Sequence, residues 1–223
     1  MKTFKNFITE TTKLKNEKDI QNWLDDMDIG GKYTINPDLT VDVEGDVNLS
    51  NKNLKNIPIQ FGYVSRDFYC DSNELTSLEG SPNVVGGDFN CVFNKLTSLK
   101  GSPSRVDGSF YCSNNKLTNL EGAPKKINKN FECNSNNITS LKGSPQEVGG
   151  DFICAYNRIT SLEGSPKKVG RNFDCSNNRL TNLKGAPKEV GRDFDCLGRD
   201  FDCFSNPIKD YTLLTFFGGD LIK

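Results

Sequence analysis

Apolar side chains return along this chain every 21 residues, and glycine, proline and asparagine positions return between them at the same interval. The unit reads L-T-x-L-x-G-x-P-x-x-V-x-x-x-F-x-C-x-x-N-x, as in Leu75 to Lys95. A fixed internal period of this length is the mark of a stacked-repeat architecture. Within the unit, F-x-C alternates inward and outward, the period of a strand with one buried face. Phe68, Phe89, Phe110, Phe131, Phe152, Phe173 and Phe194 predict one inward ladder. Cys70, Cys91, Cys112, Cys133, Cys154, Cys175 and Cys196 predict a second. Columns beginning at Leu75 and Leu78 supply two more, and the column from Val64 to Val190 closes the coil. A lone coil has nothing to bury these side chains against, so coils must stack. The expectation is a mainly β solenoid of 21-residue coils, with one short parallel strand per coil and little helix beyond a cap.

The rest of the unit is turn chemistry. Gly80, Gly101, Gly122, Gly143, Gly164 and Gly185 suit a backbone with positive φ, and the prolines that follow keep the return run out of a helix. The column Asn73, Asn94, Asn115, Asn136, Asn157, Asn178 predicts inward amides that bond backbone groups left unpaired where the strand turns away.

The ends depart from the period. Residues 1–15 read as a lysine-rich leader or tail, and residues 16–46 as an N-terminal cap. In that cap Ile20, Trp23, Leu24 and Met27 recur at helical spacing over 16–28, with Asn16 as N-cap and Gly30-Gly31 as the stop. A hairpin is expected next, Lys32–Ile35 and Thr40–Val43 around Asn36-Pro37-Asp38. The repeat spans 47–211, and Leu49 occupies the first cysteine slot, which shows that the slot takes a buried hydrophobe. Residues 191–203 carry Gly-Arg-Asp-Phe-Asp-Cys twice; Asn206 and Ile208 favour the second copy as the last strand, with the first as a bulged or looped insertion, the alternative being that the two copies compete for that register. Residues 212–223 read as a closing hydrophobic cap.

Composition narrows the chemistry. With 28 basic and 29 acidic residues the net charge is −1, so nothing draws the chain to nucleic acid or to an anionic membrane. No apolar run is long enough to span a bilayer, and the leader lacks the apolar core of a secretory signal. The eight cysteines are expected as free thiols, because strands about 5 Å apart hold Cβ atoms too far apart for an unstrained bridge. A reducing compartment such as a bacterial cytoplasm follows. With no histidine and no C-x-x-C pair, neither a metal site nor a cofactor is expected, and no catalytic residue is assigned.

Outward positions beside each Phe and Cys change from coil to coil while the inward ladders hardly vary. They form the candidate protein-binding face: Asp67, Tyr69, Asp88, Phe93, Tyr111, Glu132, Ile153, Tyr156, Asp174 and Asp195. The aromatics are the anchors and the carboxylates favour a basic patch on the partner.

Read as F-x-C-x-x-N-x-L-x-x-L, the unit resembles the leucine-rich-repeat signature, and within that class it is similar to the short bacterial type of YopM and IpaH effectors. The likeness implies a protein-binding solenoid; only 212–223 follow the last coil, so no ligase half is expected. Met1-Lys2-Thr3-Phe4-Lys5-Asn6-Phe7-Ile8-Thr9-Glu10 resembles the capsid-targeting leader of internal head proteins of T-even-type bacteriophages, which implies cleavage after Glu10. Together the resemblances imply a packaged, non-enzymatic protein that acts on a host-derived protein from the virion interior or the host cytoplasm. The alternative is a structural virion or scaffold component without a dedicated target.

Overall fold

The computed structural model describes residues 13–29 and 32–196. It is a mainly β solenoid of 21-residue coils, with one helix at its N-terminal side. That helix, Glu17–Met27, begins where Asn16 Oδ1 accepts from the Asp19 amide at 2.9 Å. It ends at Asp28, which itself takes the left-handed conformation at φ 54°. The expected stop at Gly30-Gly31 is therefore two residues late: aspartate tolerates this conformation, and its amide closes on the Asp25 carbonyl. Ile20, Trp23 and Leu24 form the buried stripe. Trp23 meets Phe61 edge-on at 6.4 Å, so the helix covers the core where the stack begins.

Strands Lys32–Ile35 and Thr40–Glu44 pair antiparallel as the expected hairpin, with Ile35 opposite Val41. Thr40–Glu44 then pairs parallel with Gln60–Val64, and from there every coil stacks on the last. Each regular coil supplies two two-residue strands, for example Val84–Val85 and Phe89–Asn90. The valine strands complete a nine-stranded sheet and the phenylalanine strands an eight-stranded one. This corrects the expectation of one strand per coil. The valine segment is extended and in register with its neighbours, so its flanking amides have ladder partners, as Gly86 N has in Val64 O at 2.9 Å.

Between the two sheets lies a continuous apolar interior. The phenylalanine rings from Phe68 to Phe194 stack with centroids 5.1–5.5 Å apart. The leucine and isoleucine columns and all seven ladder cysteines are buried beside them. Six of those cysteines, Cys70 to Cys175, are free, and burial pushes their thiols well above the ordinary range. Cys196 corrects the expectation of free thiols throughout, since it is disulfide-bonded. The six free thiols each lie between strands of two neighbouring coils, and Cys196 directly follows the last described strand, Phe194–Asp195.

The asparagine column behaves as expected. Asn115 Oδ1 accepts from Leu96 N, while its amide nitrogen donates to the carbonyls of Cys91, Cys112 and Ser113 at 3.0–3.3 Å. The glycines of the return turn have φ of 86–98°. A Cβ at Gly143 would stand 2.4 Å from Glu121 N of the coil before, so conformation and close approach both call for glycine there.

At the other end the structure corrects the expectation for the first of the duplicated segments. The first copy is no bulge: Phe194–Asp195 pairs in register with Phe173–Asp174, and the two rings stack at 5.1 Å. It arrives 21 residues after its predecessor, which is what the ladder requires. The second copy, the cap at 212–223 and Glu10 of the leader lie outside the described residues. No described helix is long and apolar enough to cross a membrane.

Candidate interaction face

The outward side of the phenylalanine sheet is built from three columns, and the structure assigns them different work. The first is Asp46, Asp67, Asp88, Ser109, Asn130, Asp151, Asn172 and Asp193. From Asp46 to Asn172, each side-chain oxygen accepts the backbone amide of its own counterpart one coil on: Asp67 from Asp88 N at 2.7 Å, Asp88 from Ser109 N at 2.7 Å, Asp151 from Asn172 N at 3.0 Å. Asp67 and Asp88, expected as display residues, therefore commit one oxygen to joining coils. Where the next coil has glycine one position earlier, that oxygen occupies the space a side chain would need: a Cβ on Gly108 would lie 2.1 Å from Asp88 Oδ1. The signal was in the sequence, since the column holds only Asp, Asn and Ser, short side chains with an acceptor oxygen.

The second column lies between Phe and Cys and pairs Asn48, Tyr69, Asn90, Tyr111, Glu132, Ile153, Asp174 and Asp195 in register. Most of these are half-buried and Asp195 is exposed, so this is the display row proper. Tyr69 donates its hydroxyl to Asp67 Oδ2 at 2.7 Å. That bond, with burial and the charges of Asp67, Asp88 and Asp46, pushes its phenol up to about 12. Burial raises the Glu132 carboxyl as well, helped by the charge of Asp151. Asp174 Oδ1 accepts from Ser176 N at 2.9 Å.

The third column, Ser50, Asp71, Val92, Ser113, Asn134, Ala155 and Ser176, turns the chain away from the sheet. Directly after it stand Asn51, Ser72, Phe93, Asn114, Ser135, Tyr156 and Asn177, all with φ between 52° and 57°. Asn and Ser fill this left-handed slot in five coils. Phe93 and Tyr156 fill it in the other two and are 59% and 61% exposed, the highest values among large apolar side chains of the described residues. For bulky side chains this conformation is a strained one.

Charge is distributed unevenly between the two sheets. The three columns of the phenylalanine face hold nine carboxylates and no lysine or arginine among the described residues. Cations stand at the rims, where Arg171 Nε comes 3.9 Å from Asp151. The valine face alternates instead, and pairs Lys126 with Glu147 at 3.5 Å and Lys168 with Glu189 at 2.9 Å. Sequence reasoning missed Tyr63, which is 45% exposed on that opposite sheet; no repeat signal marks it, because its column is otherwise charged or aliphatic. A depression of about 450 Å³ among Lys13, Lys55, Glu74 and Lys95 lies on the return side of the first coils, away from the strand face.

The sequence-predicted residues thus fall on one sheet face and its rim: Tyr69, Tyr111, Glu132, Ile153, Asp174 and Asp195 in the display row, Phe93 and Tyr156 beside it, Asp67 and Asp88 in the coil-joining column. Among the described residues no cluster of three or more His, Cys, Asp or Glu side chains is arranged to hold a metal ion. The 21-residue coils and parallel sheets are compatible with a leucine-rich-repeat-like solenoid. No family model, no curated protein and no solved structure matches the chain.

Proposed function

We propose that this protein is a non-enzymatic binding module that recognises another protein through the outward face of its phenylalanine sheet. One observation carries the reading: Phe93 and Tyr156, the two most exposed large apolar side chains among the described residues, stand in the same slot beside the display row, where neighbouring coils use Asn or Ser. Large exposed aromatics on a rigid sheet supply contact area at low conformational cost, and such side chains dominate interface energetics. The repeat geometry supports the reading further, because a solenoid offers an extended surface whose side chains change while its core does not. The resemblance to short bacterial leucine-rich repeats points the same way.

The leader resemblance extends the proposal to packaging in a bacteriophage head and action on a host protein. Mass spectrometry of purified particles tests that extension: a mature end at Thr11 supports it and absence from particles rejects it. The binding reading is tested by affinity capture from a cell lysate with wild type and with Tyr69, Tyr111 and Tyr156 all changed to Ala. A protein captured by the wild type and lost by the triple variant is the expected result. Equal capture by both sinks the face assignment and leaves a structural role without a dedicated target.

A further inference from the structure

Above the 21-residue coil the chain carries a second period of 63 residues, three coils long. Gly86-Gly87-Asp88-Phe89-Asn90-Cys91-Val92-Phe93-Asn94 recurs as Gly149-Gly150-Asp151-Phe152-Ile153-Cys154-Ala155-Tyr156-Asn157. Thr-Asn-Leu and Gly-Ala-Pro-Lys, each present in one coil of three, recur at the same distance, from Thr118 to Thr181 and from Gly122 to Gly185. The two exposed aromatics therefore occupy equivalent places, each following a small apolar residue and five positions after an aspartate of the coil-joining column. Three coil steps of about 4.8 Å put the two places about 14 Å apart along the solenoid axis.

We propose that this face holds an extended segment of a protein partner bearing lysine or arginine, laid along the axis and gripped at two equivalent subsites, Asp88 with Phe93 and Asp151 with Tyr156. The proposal rests on the reading of the face as protein-binding and adds the chemistry and spacing of what it binds. Charge complementarity selects the occupant: the three columns display nine carboxylates without an intervening cation, while the opposite sheet neutralises its own charges in Lys–Glu pairs. Asp88 and Asp151 each accept the next coil's amide through Oδ1, which fixes the carboxylate and keeps Oδ2 out of that bond. The Arg171 guanidinium at the rim approaches Asp151 and is a competitor for it. Spacing selects the conformation. An extended chain advances about 3.4 Å per residue, so about 14 Å is four residues. Four is even, so side chains i and i+4 of the segment point the same way and can reach both aromatics.

The neighbouring coils supply substitutions that keep the fold. Asn130 and Asn172 already fill the aspartate column, and Ser72 and Ser135 already fill the aromatic slot. Asp88→Asn with Asp151→Asn removes charge while retaining the acceptor oxygen; Phe93→Ser with Tyr156→Ser removes the rings without a new backbone conformation. The test is fluorescence anisotropy of the full-length protein with a labelled dodecapeptide, Lys-Leu-Ser-Thr repeated three times. Comparison peptides carry Glu for Lys, or place the Lys-Leu pair every three residues. The expected results are binding of the four-residue lysine peptide, at least tenfold weaker binding by either double variant, and at least fivefold weaker binding of the other two peptides. Wild-type-like binding by both variants, equal binding of the glutamate peptide, or equal binding of the three-residue peptide overturns the proposal. So does a wild type that binds no peptide; if the tyrosine variant still loses a partner captured from cells, the face reading survives that failure.

Discussion

On the outward side of the valine sheet Lys126 stands opposite Glu147, and Lys168 opposite Glu189, one coil apart. On the phenylalanine sheet the matching step brings Asp174 beside Asp195, and Tyr69 lies among Asp46, Asp67 and Asp88. Both sheets have the same strand spacing and share one interior, so backbone geometry does not account for the difference. Alternating opposite charges make a solvated face that is quiet toward other molecules. Like charges in register destabilise the sheet slightly and are attractive only to a cationic neighbour. The contrast separates a face whose charges alternate in sign from coil to coil from one whose carboxylates recur in register.

The largest effect tests whether the interior behind both faces is equally dry. The six free ladder thiols are fully or almost fully buried, and burial holds their folded-state ionisation far above that of an unfolded cysteine. Because the folded value is the raised one, their contribution is fully present below the unfolded value, about pH 8.5, and is lost as pH rises from there toward the folded value. Above that pH each thiol should remove about 1.4 kcal/mol per pH unit, so six together remove about 8 kcal/mol per unit. Urea midpoints from pH 7 to 10, read with alkylation of free thiols, should show a steep alkaline loss with labelling only on unfolding. A flat profile to pH 10 would mean that water reaches the ladder.

Asn115→Ala comes next. It leaves the Leu96 amide and three carbonyls without their side-chain partner, and should cost about 3–5 kcal/mol in chemical denaturation. A loss below about 1 kcal/mol would show that water or relaxation replaces the amide. Phe93→Asn should do the opposite on the display side. Asn is at home in the left-handed slot, as in Asn114 and Asn177, so stability should rise by about 0.5–1 kcal/mol while partner binding falls. Calorimetry and the peptide titration read the two quantities separately, and a drop in Tm would remove the argument that the aromatic is there at a cost to folding. Smallest of all, Asp174→Asn keeps the bond from Ser176 N and relieves the contact with Asp195, raising Tm by about 1 °C at low salt. Lys168→Ala on the valine face should give no gain, because it breaks an opposite-charge pair. If both variants shift Tm equally, the two faces do not differ as described.

Much of the architecture could be read from single columns of residues. Leu49 in the cysteine slot announced a buried hydrophobe, and Val47–Asn48 does pair in register with Phe68–Tyr69. Asn16, Trp23 and the Asn-Pro-Asp turn announced the cap. The candidate face was legible as variation beside constancy, but the work of each column was not. Asp67 and Asp88 read as surface charge, and only the neighbouring coil showed that one oxygen of each is already occupied. The second strand was missed because two residues such as Arg105–Val106 are too few to show a strand's alternation, and the pairing that makes them a strand comes from coils 21 residues away. The expectation of a bulged first Gly-Arg-Asp-Phe-Asp-Cys copy failed because local continuation was weighed above distance along the ladder, and it is distance that sets which ring meets Phe173.

Periodicity by itself determined that this chain stacks, which side chains face inward and where the turns fall, because an inward ladder is a property of spacing that every coil repeats. Tertiary structure decided what spacing leaves open: two sheets instead of one, which carboxylates are tied to the next coil, and which face brings like charges into register beside exposed rings. Those outcomes depend on contacts between coils, and a contact between residues one coil apart exists only once the coils are stacked.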